Sequence, residues 1–151
     1  YNISGKNYTI DDIVHGILRG NKAKPNSILG GKYFASNDAR SQLVQIRDCR
    51  ISLIFYQGDG FPKRLEAYDS MNYEEKLDKI VKNVLKNNVI YDELEEEVYL
   101  PPIFREYRPD FPKDDGELLK WIWKYFRFHT NIESVLKGVK EKRITIEYSE
   151  Q

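Results

Sequence analysis

Tyr8-Thr9-Ile10-Asp11-Asp12-Ile13-Val14-His15-Gly16-Ile17-Leu18-Arg19-Gly20-Asn21 has the grammar of a helix with both ends written out. Thr9 is placed to accept from the free N–H groups of a first turn, and Asp12, three residues on, is placed to answer it as in a capping box. Gly20-Asn21 supplies the stop. Ile10, Ile13, Val14, Ile17 and Leu18 recur at i, i+3, i+4, i+7, which predicts one buried face. Asp11, His15 and Arg19 form a second stripe at i, i+4 steps beside it. The rest of the chain reads as folding onto this helix.

Downstream, 22–32 has loop composition, with Pro25, Ser27 and the pair Gly30-Gly31. Ser36 or Asn37 is expected to cap a short helix through Ile46. The run 51–56, Ile-Ser-Leu-Ile-Phe-Tyr, is nearly continuous in apolar residues and of strand length, so it is expected to be the central strand of a small sheet. Gln57-Gly58-Asp59-Gly60 then forms a tight loop beyond it. A helix over 73–87, capped by Asn72, buries Tyr73, Leu77, Ile80, Val81, Val84 and Leu85, leaving Lys76, Lys79, Lys82 and Lys86 on its wet face.

Two short runs, 89–91 and 98–100, read as a hairpin with an acidic tip, which lacks the alternating ligands and turn glycine of a calcium loop. Pro101-Pro102 opens a short helix through Tyr107. Asp114 or Asp115 caps a helix over 116–128 with Leu118, Leu119, Ile122, Tyr125 and Phe126 inward. Trp121 and Trp123 fall on different sides of that helix, so one tryptophan is expected at a boundary with another domain or a partner. A last helix over 131–137 ends at Gly138, and 143–148 alternates as a strand returning to the sheet. The class is therefore α+β: a small mixed sheet with a central strand near 51–56, packed by three main helices at 9–19, 73–87 and 116–128.

Several of these stretches resemble the domain-of-unknown-function family 547. The capped Ile-Val-His-Gly-Ile-Leu-Arg run at 13–19 carries the most specific part of the resemblance. Asp48-Cys49-Arg50 before an apolar run, Gln57-Gly58 with Pro62, Val98-Tyr99-Leu100-Pro101, Asp110-Phe111 and Leu118-Leu119-Lys120-Trp121-Ile122 agree with later blocks in order and spacing. The resemblance implies no established activity. It does imply that Gln57 stands where members commonly have cysteine, and that blocks found upstream and at the close of other members are missing here. With Tyr1 as the first residue, the stretch is expected to be a single truncated domain, residues 1–151, of a larger protein.

Composition narrows the function classes. With 24 basic and 24 acidic residues, bulk charge favours neither nucleic acid nor an anionic surface, and no nucleic-acid partner is expected. A single cysteine, Cys49, excludes an internal disulfide framework and fits a reducing compartment. No apolar run reaches the roughly 20 residues that span a bilayer, so no membrane insertion is expected. Two histidines, His15 and His129, and one cysteine give no zinc spacing, and the glycine pairs lack the remainder of a phosphate-binding motif; no metal and no cofactor is expected. Abundant Asn, Lys and Tyr suggest an AT-rich genome such as a protist's.

One constellation carries chemistry: Asp11, His15 and Arg19 with the loop at Gln57. If the loop folds against the helix, His15 is placed as a base and Asp11 as its orienting group, in a layout like that of thiol proteases. Gln57 cannot attack, however, and Cys49 lies at the other end of the expected strand. The reading is therefore a noncatalytic protein–protein interaction or scaffold module in a larger cytoplasmic protein, with Lys76, Lys79, Lys82, Lys86, Trp121 and Trp123 as interaction candidates. The alternatives are a component of a cytoskeletal or ciliary assembly, and a hydrolase or transferase that has lost its loop cysteine.

Overall fold

The computed structural model describes residues 1–3, 5–25, 27–28, 30–43, 48–56 and 71–149. The chain forms two compact units, Tyr1–Ile51 and Ser52–Gln151. The class is α+β, as the periodicities predict, with a two-stranded and a three-stranded sheet among the described residues.

The first unit opens with a hairpin that the sequence reading did not foresee. Strands β1 (Asn2–Ile3) and β2 (Lys6–Asn7) pair antiparallel around Gly5, whose φ of 77° suits the turn. The capped helix follows. Its capping box is formed as expected: Asp12 N donates to Thr9 Oγ1 at 3.0 Å, and Thr9 N donates to Asp12 Oδ2 at 2.8 Å. Gly20 (φ 74°) and Asn21 (φ 58°) end it.

Between these ends the expected register fails. After one α turn the segment Asp12–Leu18 winds as a π-helix, with Arg19 N bonded to Val14 O at 2.9 Å. Wider winding rotates the faces. Ile10 is 62% and Leu18 38% exposed, while Asp12, His15, Gly16 and Arg19 are buried. Of the stripe read as flanking the core, His15 and Arg19 are thus buried, while Asp11 stays half-exposed. A short 3-10 helix, Ala39–Leu43, completes the unit, and the residue bonding its start is Asp38, whose Oδ1 accepts from Arg40 N at 2.9 Å, rather than Ser36 or Asn37. Ile46, the expected end of that helix, lies outside the described residues.

The run 51–56 is not a strand, which corrects the expected centre of the sheet. Arg50–Leu53 forms the short helix α1, started by Asp48: its Oδ1 accepts from Arg50 N at 2.9 Å and its carbonyl from Ile51 N at 3.1 Å. Ser52, Leu53 and Tyr56 are the buried positions, an i, i+1, i+4 set that belongs to helical winding and not to the alternation of a strand. A short apolar run does not by itself separate a strand from a buried helical turn. The loop 57–60 and the proline at 62 lie outside the described residues.

In the second unit the centre of the sheet is instead β4 (Glu97–Leu100), with Val98 and Leu100 buried in alternation. Strand β3 (Ile90–Asp92) pairs antiparallel to it in the register Ile90 to Tyr99, giving the expected acidic-tipped hairpin. Strand β5 (Thr145–Tyr148) pairs parallel to its other side, Val98 opposite Ile146, so the sheet is mixed. Helix α2 (Tyr73–Asn88) buries Leu77, Ile80, Val81, Val84 and Leu85 as expected; Asn72 stands at its N-cap, but its side chain makes no cap hydrogen bond, and Tyr73, expected inside, is 38% exposed.

Helix α3 (Ile103–Glu106) follows Pro101-Pro102 and passes into a 3-10 turn, Arg108–Asp110. Helix α4 (Asp115–Tyr125) packs on α2 through Leu118, Leu119 and Ile122, and Asp114 Oδ1 caps it by accepting from Glu117 N at 3.0 Å. Helix α5 (Ile132–Lys140) packs on α4. It continues through Gly138, where a stop was expected, and the left-handed residue that ends it is Lys142, with φ 58°.

Candidate functional site

Asp11 at the N-cap of the π-helix, His15 within it and Arg19 at its C-cap form the polar cluster. His15 is 7% exposed and Arg19 is 5% exposed. Arg19 Nη1 stands 2.7 Å from His15 Nδ1 and donates also to Ala23 O at 2.9 Å. A guanidinium has donors and no acceptor, so Nδ1 must present its lone pair and the imidazole is the Nε2–H tautomer. Nε2 faces Asp11 Oδ1 at 3.8 Å, beyond hydrogen-bond reach but close enough to orient the ring. Asp11 is itself ion-paired with Lys24, and the bond from Lys24 to Asp11 raises the lysine above its ordinary value.

A second layer fixes the helix from the other side. The Thr9 N–H holds the Asp12 carboxyl below the usual carboxylate range, against the opposing pull of burial, with the Thr9 hydroxyl, Arg40 and Tyr33 adding to the effect. Arg40 Nη1 lies 3.3 Å from Asp12 Oδ2, and its Nε and Nη2 clasp Asp38 at 3.1 and 2.7 Å. That clasp lowers Asp38 and raises Arg40. The Arg40 guanidinium also lies 4.5 Å over the ring of Phe34.

Loop 22–34 is tied back to the helix by its first and last residues. Asn21 acts as a surrogate strand: Oδ1 accepts from Phe34 N at 2.6 Å and Nδ2 donates to Phe34 O at 3.3 Å. Phe34 is 2% exposed, and the Tyr33 ring stands 5.8 Å from that of His15. Lys24, Tyr33, Phe34 and Arg40, absent from the sequence-derived candidates, therefore belong to the same cluster. No periodicity announces them, because they come from loop and 3-10 backbone.

The other candidates are dispersed. Gln57 lies outside the described residues. Cys49 is half-buried. Lys79, Lys82 and Lys86 are exposed on α2 and Lys76 is half-buried; Glu75 and Asp78 interleave with them, so the face is of mixed charge. Trp121 packs against Phe104, Phe111 and Tyr125, and Trp123 against Phe128, both half-buried within the second unit. At the hairpin tip, Asp92 Oδ1 accepts from Leu94 N and Glu95 N, and Glu96 pairs with Arg143. Among the described residues no group of three His, Cys, Asp or Glu side chains is placed to hold a metal ion, and no helix is long and apolar enough to cross a membrane.

A buried His15–Arg19 pair on the capped π-helix of the first unit and a mixed three-stranded sheet in the second define an α+β protein. The chain belongs to the family described as "Protein of unknown function, DUF547", whose model matches residues 1–85, the first unit together with α1 and most of α2. No curated protein and no solved structure matches it.

Proposed function

We propose that this chain serves as a noncatalytic interaction or scaffold module of a larger cytoplasmic protein. The observation that carries this reading is the Arg19 guanidinium seated on His15 Nδ1. A general base needs an available lone pair aimed at a substrate proton. Here the lone pair is spent inside the fold, and the proton-bearing nitrogen faces Asp11. The glutamine at position 57, where the family commonly has cysteine, supports the same reading. The partner is met on α2, where Lys79, Lys82 and Lys86 alternate with Glu75 and Asp78 and suit a protein surface of mixed charge better than a polyanion. A cytoskeletal or ciliary lattice is one setting in which such a module would act.

The test pairs chemistry with labelling. His15→Ala is expected to lower stability, and the parent chain to turn over no acyl or peptide substrate under native conditions. Lysine acylation in native extract is expected to spare Lys79, Lys82 and Lys86 relative to the isolated chain. A His15→Ala protein of unchanged stability that loses reaction with an acyl or peptide probe would establish the hydrolase or transferase reading instead.

A further inference from the structure

The sheet of the second unit has β3 and β5 at its two edges, and the bonds of β5 fix which of its backbone groups face outward. Thr145 N donates to Glu96 O at 3.1 Å and Ser149 N to Leu100 O at 3.0 Å. With Thr145 opposite Glu97 and Glu147 opposite Tyr99 in the parallel ladder, the odd-numbered residues of β5 turn their N–H and C=O groups toward β4. Ile146 and Tyr148 turn theirs away, and among the described residues no hydrogen bond meets those backbone groups.

An open edge is normally blunted by lysine, proline, a bulge or charge. Strand β3 is blunted: Val89 N is already bonded to Leu85 O at 2.9 Å, Tyr91 alone within the strand faces outward, and the acidic tip at Asp92, Glu93, Glu95 and Glu96 adjoins it. Strand β5 has no lysine, no proline and no left-handed residue, and its single charge is Glu147.

We propose that β5 is a dimerisation strand: it pairs antiparallel with β5 of a second copy about a two-fold axis at Ile146, joining the two three-stranded sheets into one. A two-fold axis requires a self-complementary edge, since residue i meets j while j meets i. Centred on Ile146, the pair sets Ile146 against its own copy, Ile144 against Tyr148 and Thr145 against Glu147. Both outward N–H groups of each copy then meet a carbonyl of the other, Ile146 that of Ile146 and Tyr148 that of Ile144. The Glu147 carboxylate faces a hydroxyl that donates to it. Moving the axis to Glu147 keeps the bonds but opposes two carboxylates. Moving it to Thr145 sets Tyr148 against Lys142, whose φ of 58° lies outside the strand. This surface is separate from the α2 face and stands whether or not that face is masked.

Sedimentation of the whole chain from about 1 to about 200 µM, with amide exchange at both ends of that range, reads the pairing. The parent is expected to pass from monomer to dimer, and the Ile146 and Tyr148 amides to gain about tenfold or more in protection as it does. The Glu147 and Ser149 amides, bonded to β4, are expected to be protected throughout. Ile146→Pro removes an outward N–H that β4 does not use, and is expected to stay monomeric with the Ser149 amide still protected. Thr145→Lys sets an ammonium opposite Glu147 of the second copy twice over, and is expected to lower the dissociation constant about threefold or more. A parent that stays monomeric, a dimer that persists in Ile146→Pro, or one that Thr145→Lys leaves unchanged or weakens overturns the proposal. So do Ile146 and Tyr148 amides that exchange alike at both concentrations: unprotected, they place the contact elsewhere, and protected from the outset, they give the edge to another strand. Should Ile146→Pro fail to fold, the exchange of the parent and the Thr145→Lys comparison decide.

Discussion

A Cβ on Gly16 would stand 2.0 Å from Phe34 Cε2 and 2.3 Å from its Cζ. The ring occupies the space that any other residue's side chain would claim, and it cannot retreat easily. Phe34 is buried, its backbone is bonded at both N–H and C=O to Asn21, and Arg40 covers its face. Gly16→Ala is therefore expected to destabilise the first unit by about 1–3 kcal/mol or more, in spite of alanine's better helix propensity. Denaturant unfolding followed by aromatic fluorescence checks this; a neutral or stabilising result would show that the ring has room to move.

The reciprocal bonds of Thr9 and Asp12 predict unequal losses. Thr9→Ala removes one cap acceptor and should cost about 1 kcal/mol. Asp12→Ala should cost more, since it strands the Thr9 N–H and also removes the Arg40 ion pair, leaving Arg40 to its clasp on Asp38. Because the two residues share their bonds, the double variant should lose less than the sum of the single losses.

The same pair gives a pH dependence with a definite sign. The Asp12 carboxyl lies below its ordinary value in the folded chain. The unfolded state therefore binds the proton first as pH falls, and the stability Asp12 contributes is present above the ordinary carboxylate range and is lost as pH drops through it. In Asp12→Asn the acid limb of the stability curve is expected to be shallower than in the parent, as followed by the denaturation midpoint between neutral and acid pH.

Gly138 lies inside α5, where a Cβ would fall 2.5 Å from Ile144 Cδ1 and 2.7 Å from its Cγ1. Alanine there gains about 1 kcal/mol of helix propensity and meets a side chain that is 4% exposed. Overpacking should win, with Gly138→Ala less stable by about 1–2 kcal/mol. Removing Cδ1 by Ile144→Val in the same chain is expected to recover part of the loss. If the second change adds its own penalty in full, the clash is not the cause.

Helix ends were the most legible features of this chain. Thr9 with Asp12, and Asp114, act through a side chain meeting backbone a few residues away, and Gly20-Asn21 through backbone of positive φ, so sequence spacing alone specifies them. The buried face of α2 and the hairpin of β3 and β4 were legible for a related reason: sixteen residues of helix, or two alternating runs, repeat their period often enough to be read. The six residues at 51–56 do not, and Asp48 tips them into a helical turn.

What the sequence determined by itself, then, is the α+β class, the helix ends at Thr9 with Asp12, Gly20-Asn21 and Asp114, the long amphipathic helix and the presence of His15, Asp11 and Arg19 at one spacing. What only tertiary structure decided is which side of that first helix is inside. Phe34 pressing on Gly16 and Asn21 bonding the Phe34 backbone bring in a residue 13 positions beyond Asn21, and Arg19 reaches Ala23 just past the helix end. Their combined contacts outweigh the α-helical pattern of five apolar residues, winding the segment wider and burying His15 and Arg19 from a stripe expected beside the core.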